Sequence, residues 1–419
     1  MRVLWFTNIP LRQVHIHNGR TPGGSGHWMN ALLDSITAAD QPLEKVAVVT
    51  SNFGDKKDHF EFNNIDYFNI KSPSKASLFL NRNETSRQLE EAAQIIKSWK
   101  PDIIHVHGTE RFFGLVRARN LTSVPTVVSL QGIVSEIARY ACGDLTTQQQ
   151  RKYFSLGEAL RRNSPFDNQR RYHKQALVEQ EILKGVDAVI GRTSWDKTFA
   201  KSINPKLKYF HIDEMLRTEF QVSPKWKLDQ NTLKVFTTSS IGSLKGLGVL
   251  IKAIKTLRDN GHNVSLSIAG VSDAQTKNKC YGKYLASLIN NSKLRSAVEF
   301  LGWCNPQQLM ENMLSCRCFV SASFIENSPN SICEAQMLGV PCVAAHTGGI
   351  VSLITDSATG MLFSRGDQYS LAHQIGRLLD DKSLCETISR NAIEVASNRH
   401  DKEKIRNSTI VCYQGLAKT

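Results

Sequence analysis

The chain has 419 residues, 41% of them hydrophobic and 21% charged, and its formal net charge is +14. This length predicts two or three domains of about 100 to 200 residues, and the composition excludes a disordered or collagen-like chain. The longest apolar stretches are much shorter than the roughly 18 to 20 residues of a membrane helix, and the start MRVLWFTNIP lacks a signal-peptide pattern. We therefore expect a cytoplasmic protein.

The positive charge indicates an anionic partner, which is nucleic acid, an acidic membrane surface or a phosphorylated small molecule. Residues 147–175 hold seven Lys and Arg against two acidic residues, which fits either a solvated helical face or a docking surface. The nine cysteines include no C-x-x-C pair, so we expect buried thiols and neither a zinc site nor disulfides.

Short β-branched runs alternate with longer helical segments, as in βαβ units around a parallel sheet. In the first half, the runs that predict strands are 2–8, 45–50, 102–107, 126–130, 187–191 and 208–212. Segment 83–100 has apolar residues spaced by three and four, which predicts a helix. After the polar stretch 222–232, further strands are predicted at 234–240, 264–270, 297–302, 318–323 and 341–346.

This pattern predicts an α/β protein with two doubly wound domains, 1–222 and 233–398, joined by a hinge at 222–232. We expect residues 399–419 to form a helix that packs back toward the N-terminal domain. A ligand of such sheets lies beyond the carboxyl ends of their strands, so the loops at those ends are the first places to search for chemistry.

The first such loop is NGRTPGGSGHW, residues 18–28, in which Gly23 and Gly24 allow the backbone to approach a ligand. The loop does not match G-x-G-x-x-G, and no acidic residue is placed to hold a ribose, so we do not expect a dinucleotide site. An ordinary glycine-rich turn fits equally well.

The second loop follows the predicted strand 234–240 and carries Lys245 just before a helix, in TTSSIGSLKGLG. A cation at a strand-to-helix turn can neutralise a diphosphate. The loop lacks the glycine spacing and the Lys-Ser/Thr ending of a P-loop, so a nucleoside triphosphatase is not indicated.

The third loop begins FIENSPNSICEAQMLGVPCV, residues 324–343. Pro329 suits the first helical position and Gly339 the C-terminal cap. The amides of Asn330 and Ser331 then lie unpaired at a helix N-terminus, which favours a phosphate.

Glu326 and Glu334 flank that helix start, and a carboxylate can accept hydrogen bonds from adjacent hydroxyls of a ribose or a sugar. The arrangement predicts a diphosphate with a hydroxyl-rich ring at each end, which describes a nucleotide sugar. A glycosidase also uses two carboxylates, but a phosphate-binding helix turn between them suits donor binding better.

Together these loops resemble the retaining GT-B glycosyltransferases of the family-4 type, most closely over 321–349, where SASFIENSPNSICEAQMLGVPCVAAHTGG matches the E-x7-E segment and its Gly-Gly loop. The resemblance implies two Rossmann-like domains facing a central cleft. It also implies that Glu326 contacts the hydroxyls of the donor sugar and that Glu334 contacts those of the ribose. By the same resemblance, the amides of Asn330 and Ser331 and the side chain of Lys245 contact sugar and phosphates. Gly23 and Gly24 would form the glycine loop beside the diphosphate, and Trp303 would line the base pocket.

The sequence departs from the family pattern at two places. Ser239 stands where many members have an arginine six residues before the lysine, and Arg192 or Arg217 is either a substitute cation or structural. Gln131 stands where many have a histidine, and glutamine carries no proton but can hydrogen-bond the sugar. Of the two histidines on strand 102–107, we favour His107 for the cleft.

The resemblance implies a transfer with retention, in which the departing phosphate helps to take the proton of the acceptor hydroxyl. We expect a UDP- or GDP-sugar donor, a saccharide or lipid-linked acceptor, and a role in polysaccharide or lipopolysaccharide synthesis. No D-x-D motif stands at a convincing strand end, so no metal or other cofactor is implied. Segment 147–175 would meet an anionic membrane at its inner face.

Two other classes stay open. Another GT-B enzyme, such as a nucleotide-sugar epimerase or a phosphorylase, would need acid/base groups or a cofactor-binding lysine that we do not find. A basic nucleic-acid-binding protein fits the charge, but the basic residues are not interleaved with stacking aromatics and no nucleic-acid module is visible, so we expect no nucleic-acid partner.

Overall fold

The computed structural model describes residues 1–21, 26–38, 43–51, 58–71, 84–229 and 231–418. The chain divides into two compact units, each made of segments that are not continuous in the sequence. The N-terminal unit comprises Met1–Ser135, Lys174–Arg217 and His400–Thr419, and the C-terminal unit comprises Glu136–His173 and Thr218–Arg399.

The N-terminal unit contains a sheet with the strand order β3-β4-β2-β1-β5-β6-β7-β8. All neighbouring strands pair in parallel except β3 and β4. Its central strands have apolar residues on both faces, as expected of a parallel sheet covered by helices. The strands are Arg2–Thr7, Lys45–Ser51, Asp58–Phe62, Ile65–Ile70, Ile103–His107, Thr126–Ser129, Ala188–Gly191 and Lys208–His211, numbered β1 to β8 in chain order.

The C-terminal unit contains a fully parallel sheet with the order β11-β10-β9-β12-β13-β14. Its strands are Lys234–Thr238, Ser265–Ala269, Val298–Gly302, Cys318–Ser321, Cys342–Ala345 and Met361–Phe363, numbered β9 to β14. The predicted α/β class with two parallel sheets is therefore confirmed. Strands β3, β4 and β14 were not predicted from the sequence.

Helices and two short 3-10 turns connect these strands. The helices within the N-terminal residues are Arg12–His17, His27–Ile36, Glu84–Trp99, Leu115–Ala118, Ser194–Ile203 and Lys402–Ala417. Those within the C-terminal residues are Thr147–Lys152, Leu156–Leu160, Thr218–Val222, Leu247–Asp259, Asp273–Asn278, Cys280–Asn291, Pro306–Leu314, Asn330–Leu338, Ile350–Leu353, Gln368–Asp380 and Lys382–Arg399. Two helices, Val134–Tyr140 and Pro165–Gly185, each begin in one unit and end in the other. The 3-10 turns are Phe112–Gly114 and Ser243–Lys245.

The sequence predicts a single boundary at residue 222. Residues 136–173 belong instead to the C-terminal unit. The reason is a set of polar contacts with the helices that follow β10. Ser155 Oγ donates to the carbonyl of Asn278 at 2.8 Å, and the amide of Cys280 donates to Glu158 at 2.7 Å. Such long-range hydrogen bonds leave no periodic signal in the sequence.

No helix in the described ranges is both long and apolar enough to cross a bilayer.

A buried hydrogen-bond chain connects the last helix to the centre of the N-terminal sheet. Trp5 Nε1 donates to the hydroxyl of Tyr413 at 3.0 Å, and this hydroxyl lies 2.6 Å from His105 Nδ1. The other ring nitrogen of His105 lies 2.7 Å from Ser129 Oγ. Every polar atom of this chain has a partner, which offsets the cost of burying it.

We predict that this cluster makes the N-terminal unit sensitive to acid. Burial lowers the pKa of His105 to about 3, whereas an unfolded histidine titrates near about 6.5. Between these values the unfolded state binds the additional proton, so stability falls as the pH falls below about 6.5, by about 1.4 kcal/mol at pH 5.5. Urea unfolding followed by tryptophan fluorescence at about pH 7.5 and about 5.5 measures this loss.

The variant His105→Gln should lose less stability over the same pH interval, although its midpoint at neutral pH is lower. His173→Gln, which changes an exposed histidine, is the matched control and should behave like the wild type. Equal losses in the wild type and in His105→Gln would contradict the assignment.

Candidate functional site

The candidate residues fall into two groups, one in each unit. Gln131 and His107 belong to the N-terminal unit, whereas Lys245, Glu326 and the helix that starts at Asn330 belong to the C-terminal unit. Gly23 and Gly24 lie outside the described residues.

In the N-terminal unit, Gln131 and His107 line one small cavity of about 30 Å³ at the carboxyl ends of β5 and β6, beside Ser129 and Trp28. His107 is 4% exposed, and its Nε2 atom finds no hydrogen-bond partner among the residues that the structure describes. Burial, together with the neighbouring His105, holds the pKa of His107 well below its ordinary value. The imidazole is therefore neutral at physiological pH and can accept or donate one hydrogen bond at this cavity.

Arg192, one of the two possible substitute cations, borders the same cavity but is 5% exposed. Its guanidinium pairs with Glu214 and donates to the carbonyl of Leu130. A buried charge that is already neutralised in this way serves the structure of the N-terminal unit.

In the C-terminal unit, Lys245 and Glu326 form an ion pair, with Nζ 2.5 Å from Oε1. The two side chains are 33% and 16% exposed. An ion pair so open to solvent contributes only about 0 to 1 kcal/mol to folding. Its effect is instead to hold a cation and a carboxylate together at the carboxyl edge of the sheet.

Backbone contacts fix the loops that carry this pair. The amide of Phe324 donates to the carbonyl of Leu244 at 2.8 Å, which joins the loop after β12 to the 3-10 turn after β9. Gly246 has a φ of 65°, and a Cβ there would lie 2.0 Å from the carbonyl oxygen of Ala322. Any other residue at this position would push the two loops apart.

The Gly-Gly loop after β13 approaches from the other side. The amide of Gly349 donates to the carbonyl of Glu326 at 2.9 Å, and a Cβ on Gly348 would lie 2.2 Å from the same oxygen. Gly348 has a φ of 52°, in the left-handed region. The glycine pair therefore allows the backbone of two loops to touch beside the Glu326 side chain.

The helix in the E-x7-E segment forms as predicted, with one correction. It spans Asn330–Leu338, and Pro329 is its N-cap, because the backbone of Pro329 is still extended (ψ 121°) and no side chain caps the helix start. Gly339 ends the helix in the left-handed conformation, with a φ of 80°. The amides of Asn330 and Ser331 occupy the first helical turn, where free donors favour an anion.

Glu334 lies one turn into this helix and is 2% exposed. Asn330 Oδ1 is buried, and within the described part of the chain it accepts no hydrogen bond. Of the other candidates, Ser239 is 9% exposed and its hydroxyl donates to the carbonyl of Ser240 at 2.8 Å, whereas Trp303, directly after β11, is 74% exposed.

The structure adds one side chain at this edge that the sequence did not suggest. Arg365 follows β14 and reaches back over the loop after β13, where Nη1 lies 3.3 Å from Thr347 Oγ1 and 3.5 Å from the carbonyl of Phe324. Its guanidinium lies 4.1 Å from the ring centroid of Tyr140. The sequence signal there is weak, because β14 has only three residues.

The edge thus combines cations, an uncapped helix start, close glycine backbone and two carboxylates. Cations and free amides suit phosphates, and carboxylates suit hydroxyls. Across the described ranges, no group of three His, Cys, Asp or Glu is arranged to hold a metal ion.

Residues 219–395 match the family described as glycosyl transferases group 1. An uncharacterized glycosyltransferase from Methanocaldococcus jannaschii is 24% identical over 88% of this chain and 89% of its own length. The capsular polysaccharide biosynthesis glycosyltransferase CapM of Staphylococcus aureus is 27% identical over 43% of this chain, which spans about half (49%) of that relative.

Among solved structures, Anabaena HepE in complex with UDP and glucose superimposes with a TM-score of 0.68 at 18% identity, covering 99% of this chain and 100% of HepE. At this identity the likeness shows the fold. The chain therefore has the GT-B fold, and its residues 219–395 match the glycosyl transferases group 1 family.

Proposed function

We propose that the protein is a retaining glycosyltransferase of the family-4 type that moves a hexosyl group from a nucleotide sugar to a hydroxyl of a saccharide or lipid-linked acceptor. The observation that carries this proposal is the Lys245–Glu326 pair, held beside the uncapped start of helix Asn330–Leu338. A cation next to free amides suits a diphosphate, and the adjoining carboxylates suit its two hydroxyl-bearing rings.

In this proposal each group has a separate task. Lys245 neutralises the diphosphate, the amides of Asn330 and Ser331 contact phosphate and sugar, Glu326 accepts hydrogen bonds from the transferred sugar, and Glu334 accepts them from the ribose. Ser239 and Trp303 lie directly after β9 and β11, on the side of the sheet where we expect the base. The donor is a UDP- or GDP-sugar, and the solved complex of HepE with UDP and glucose supports the UDP class.

The proposed reaction is a displacement on one face of the sugar. The bond from the anomeric carbon to the diphosphate oxygen breaks, the acceptor oxygen bonds to the same face of that carbon, and the acceptor proton passes to the departing phosphate oxygen. Lys245 and the helix start stabilise the charge that develops on that phosphate. No side-chain base is required, which fits a glutamine at position 131. The neutral imidazole of His107 and the amide of Gln131 would orient a hydroxyl by hydrogen bonds.

Polysaccharide or lipopolysaccharide synthesis is the context that the likeness to CapM supports. Such acceptors are commonly attached to lipid, so we propose that the protein meets the inner face of the cell membrane through segment 147–175. Four large apolar side chains in this segment project into solvent, and the exposed fractions are 54% for Phe154, 65% for Leu156, 78% for Leu160 and 58% for Phe166.

Basic side chains surround these apolar residues. The exposed cations of the segment are Arg151, Lys152, Arg161, Arg162, Arg170, Arg171 and Lys174. The two carboxylates of the segment accept hydrogen bonds within the protein, Glu158 from the amide of Cys280 and Asp167 from the hydroxyl of Ser164. An apolar surface within a basic rim is the pattern of a segment that lies in the interface of an anionic bilayer.

The donor site predicts a specific response of thermal stability to nucleotides. A ligand at a hundredfold excess over its Kd stabilises the native state by about 2.7 kcal/mol, so UDP-sugars or GDP-sugars should raise the Tm while ADP-sugars should not. Lys245→Ala should abolish the rise, because it removes a cation and leaves the Glu326 carboxylate to repel phosphate. Glu334→Ala should reduce it through loss of the ribose contact.

Two matched variants control for general effects. Lys255→Ala breaks another lysine–carboxylate pair, with Asp259, and Glu311→Ala removes an exposed glutamate from a helix of the same unit. Both should retain the full rise in Tm. A rise that survives Lys245→Ala and Glu334→Ala would show that the nucleotide binds elsewhere, and a product whose new linkage has the opposite anomeric configuration to the donor, by proton NMR, would exclude retention.

The membrane surface predicts binding to phosphatidylglycerol-containing vesicles, measured by co-sedimentation, and little binding to pure phosphatidylcholine. The double change Phe154→Ser and Leu160→Ser should weaken binding by at least about tenfold, since each large apolar side chain is worth about 1.5 kcal/mol or more when buried. Arg161→Gln with Arg171→Gln should weaken it at low salt and reduce its salt dependence.

Val411→Ser is the control, because this residue is 63% exposed on the last helix, outside the segment. If the serine and glutamine variants sediment with anionic vesicles as well as the wild type does, segment 147–175 is a solvated face and the membrane proposal fails.

A further inference from the structure

The carboxyl edge of the C-terminal sheet has too little positive charge for the donor proposed above. Each phosphate of a nucleotide sugar carries a negative charge, and Glu326 and Glu334 add two carboxylates to the same edge. The positive charges at this edge are Lys245 and a helix start equivalent to about half a positive charge. Glu326 already balances the charge of Lys245, at 2.5 Å. The donor proposed above therefore calls for a further cation at this edge.

Arg365 lies at this edge because of the strand order. Strand β13 separates β14 from β12, and all three run parallel, so the loops after them share one side of the sheet. Arg365, in the loop after β14, crosses the loop after β13 and reaches the carbonyl of Phe324 at 3.5 Å. Phe324 in turn binds the Lys245 turn through its amide, at 2.8 Å from the carbonyl of Leu244.

Lys245 and Arg365 therefore flank the same short segment, one on its amide side and one on its carbonyl side. Thr347 strengthens this contact, because its hydroxyl donates to the same Phe324 carbonyl at 2.9 Å and accepts from Arg365 at 3.3 Å. Both cations are held to the backbone that carries Glu326, two residues further along the chain.

The charge of Arg365 is uncompensated. Throughout the described ranges, no carboxylate lies within ion-pair distance of Arg365, and only Nη1 of its guanidinium makes a hydrogen bond. The remaining guanidinium donors can form the paired hydrogen bonds that phosphates accept.

The guanidinium is also held in place. Its carbon lies 4.1 Å from the ring centroid of Tyr140, a cation–π contact that restricts the side chain without using its donors. An ordered guanidinium loses less conformational entropy when it binds than a free one does. Tyr140 belongs to segment 136–173, so this part of the chain also supports the edge.

We propose that Arg365 is a second phosphate-binding cation of the donor site and supplies positive charge that Lys245 alone does not provide. This inference rests on the proposed function, because it names a further contact of the same donor. It assigns to Arg365 a contact with the diphosphate and to Tyr140 the orientation of that contact.

Isothermal titration of the full-length protein with UDP, uridine, GDP and guanosine tests the assignment. Arg365→Gln should weaken binding of the preferred nucleoside diphosphate by about 10- to 100-fold, as expected when a charge-assisted hydrogen bond is lost, and leave binding of the corresponding nucleoside unchanged. Arg365→Lys should retain part of the lost affinity, because it keeps the charge but not the paired donors.

Arg377→Gln is the matched control, because Arg377 lies on the following helix Gln368–Asp380 and donates to Gln374 and Ser357. It should bind nucleoside diphosphate like the wild type. Melting temperatures of all variants separate a binding effect from misfolding. A purely structural Arg365, which only packs against Tyr140, would lower the melting temperature and weaken nucleoside and diphosphate equally.

The outcomes distinguish the two proposals. If the wild type binds neither diphosphate, the proposed function fails and this inference falls with it. If the wild type and Lys255→Ala bind UDP or GDP and Lys245→Ala does not, but Arg365→Gln binds as tightly as the wild type, the proposed donor site stands and the role of Arg365 is overturned.

Discussion

The backbone contact between the loops after β9 and β12, which holds Lys245 beside Glu326, is the constraint on which the C-terminal site depends. Lys245 and Glu326 lie in the loops after β9 and β12, which are neighbouring strands in the sheet although their first residues, Lys234 and Cys318, are 84 positions apart in the sequence. Parallel strands bring those loops to one edge of the sheet. Gly246 and Gly348 then let the loop backbones touch where any side chain would collide.

Much of this could be predicted from the sequence, because strong local patterns determine it. The buried parallel strands read as continuous apolar runs, and Gly339 ended its helix as a left-handed cap should. Pro329 was misplaced by one position, because its backbone is still extended and the helix begins at Asn330. The hairpin β3–β4 was missed because DHFEF carries charged residues on an exposed edge, and β14 because three residues are too few to show a period.

Arg365 and segment 136–173 show what sequence patterns cannot provide. Arg365 reaches its contacts only because β14 lies two strands from β12, a fact of sheet order. Segment 136–173 belongs to the C-terminal unit through single side chains, such as Ser155 on the carbonyl of Asn278. The two units also differ in how they use polar groups: His105 and His107 are buried and neutral in one, whereas charged groups collect at the sheet edge of the other.

In the proposed function, the edge around Lys245 and Glu326 holds the diphosphate of a nucleotide sugar. A crystal structure of the protein with UDP or GDP tests it most directly. We expect phosphate oxygens within hydrogen-bond distance of Lys245 Nζ and of the amides of Asn330 and Ser331, with ribose hydroxyls bound to Glu334. A diphosphate bound away from this edge, with the Lys245–Glu326 pair unchanged, would contradict it.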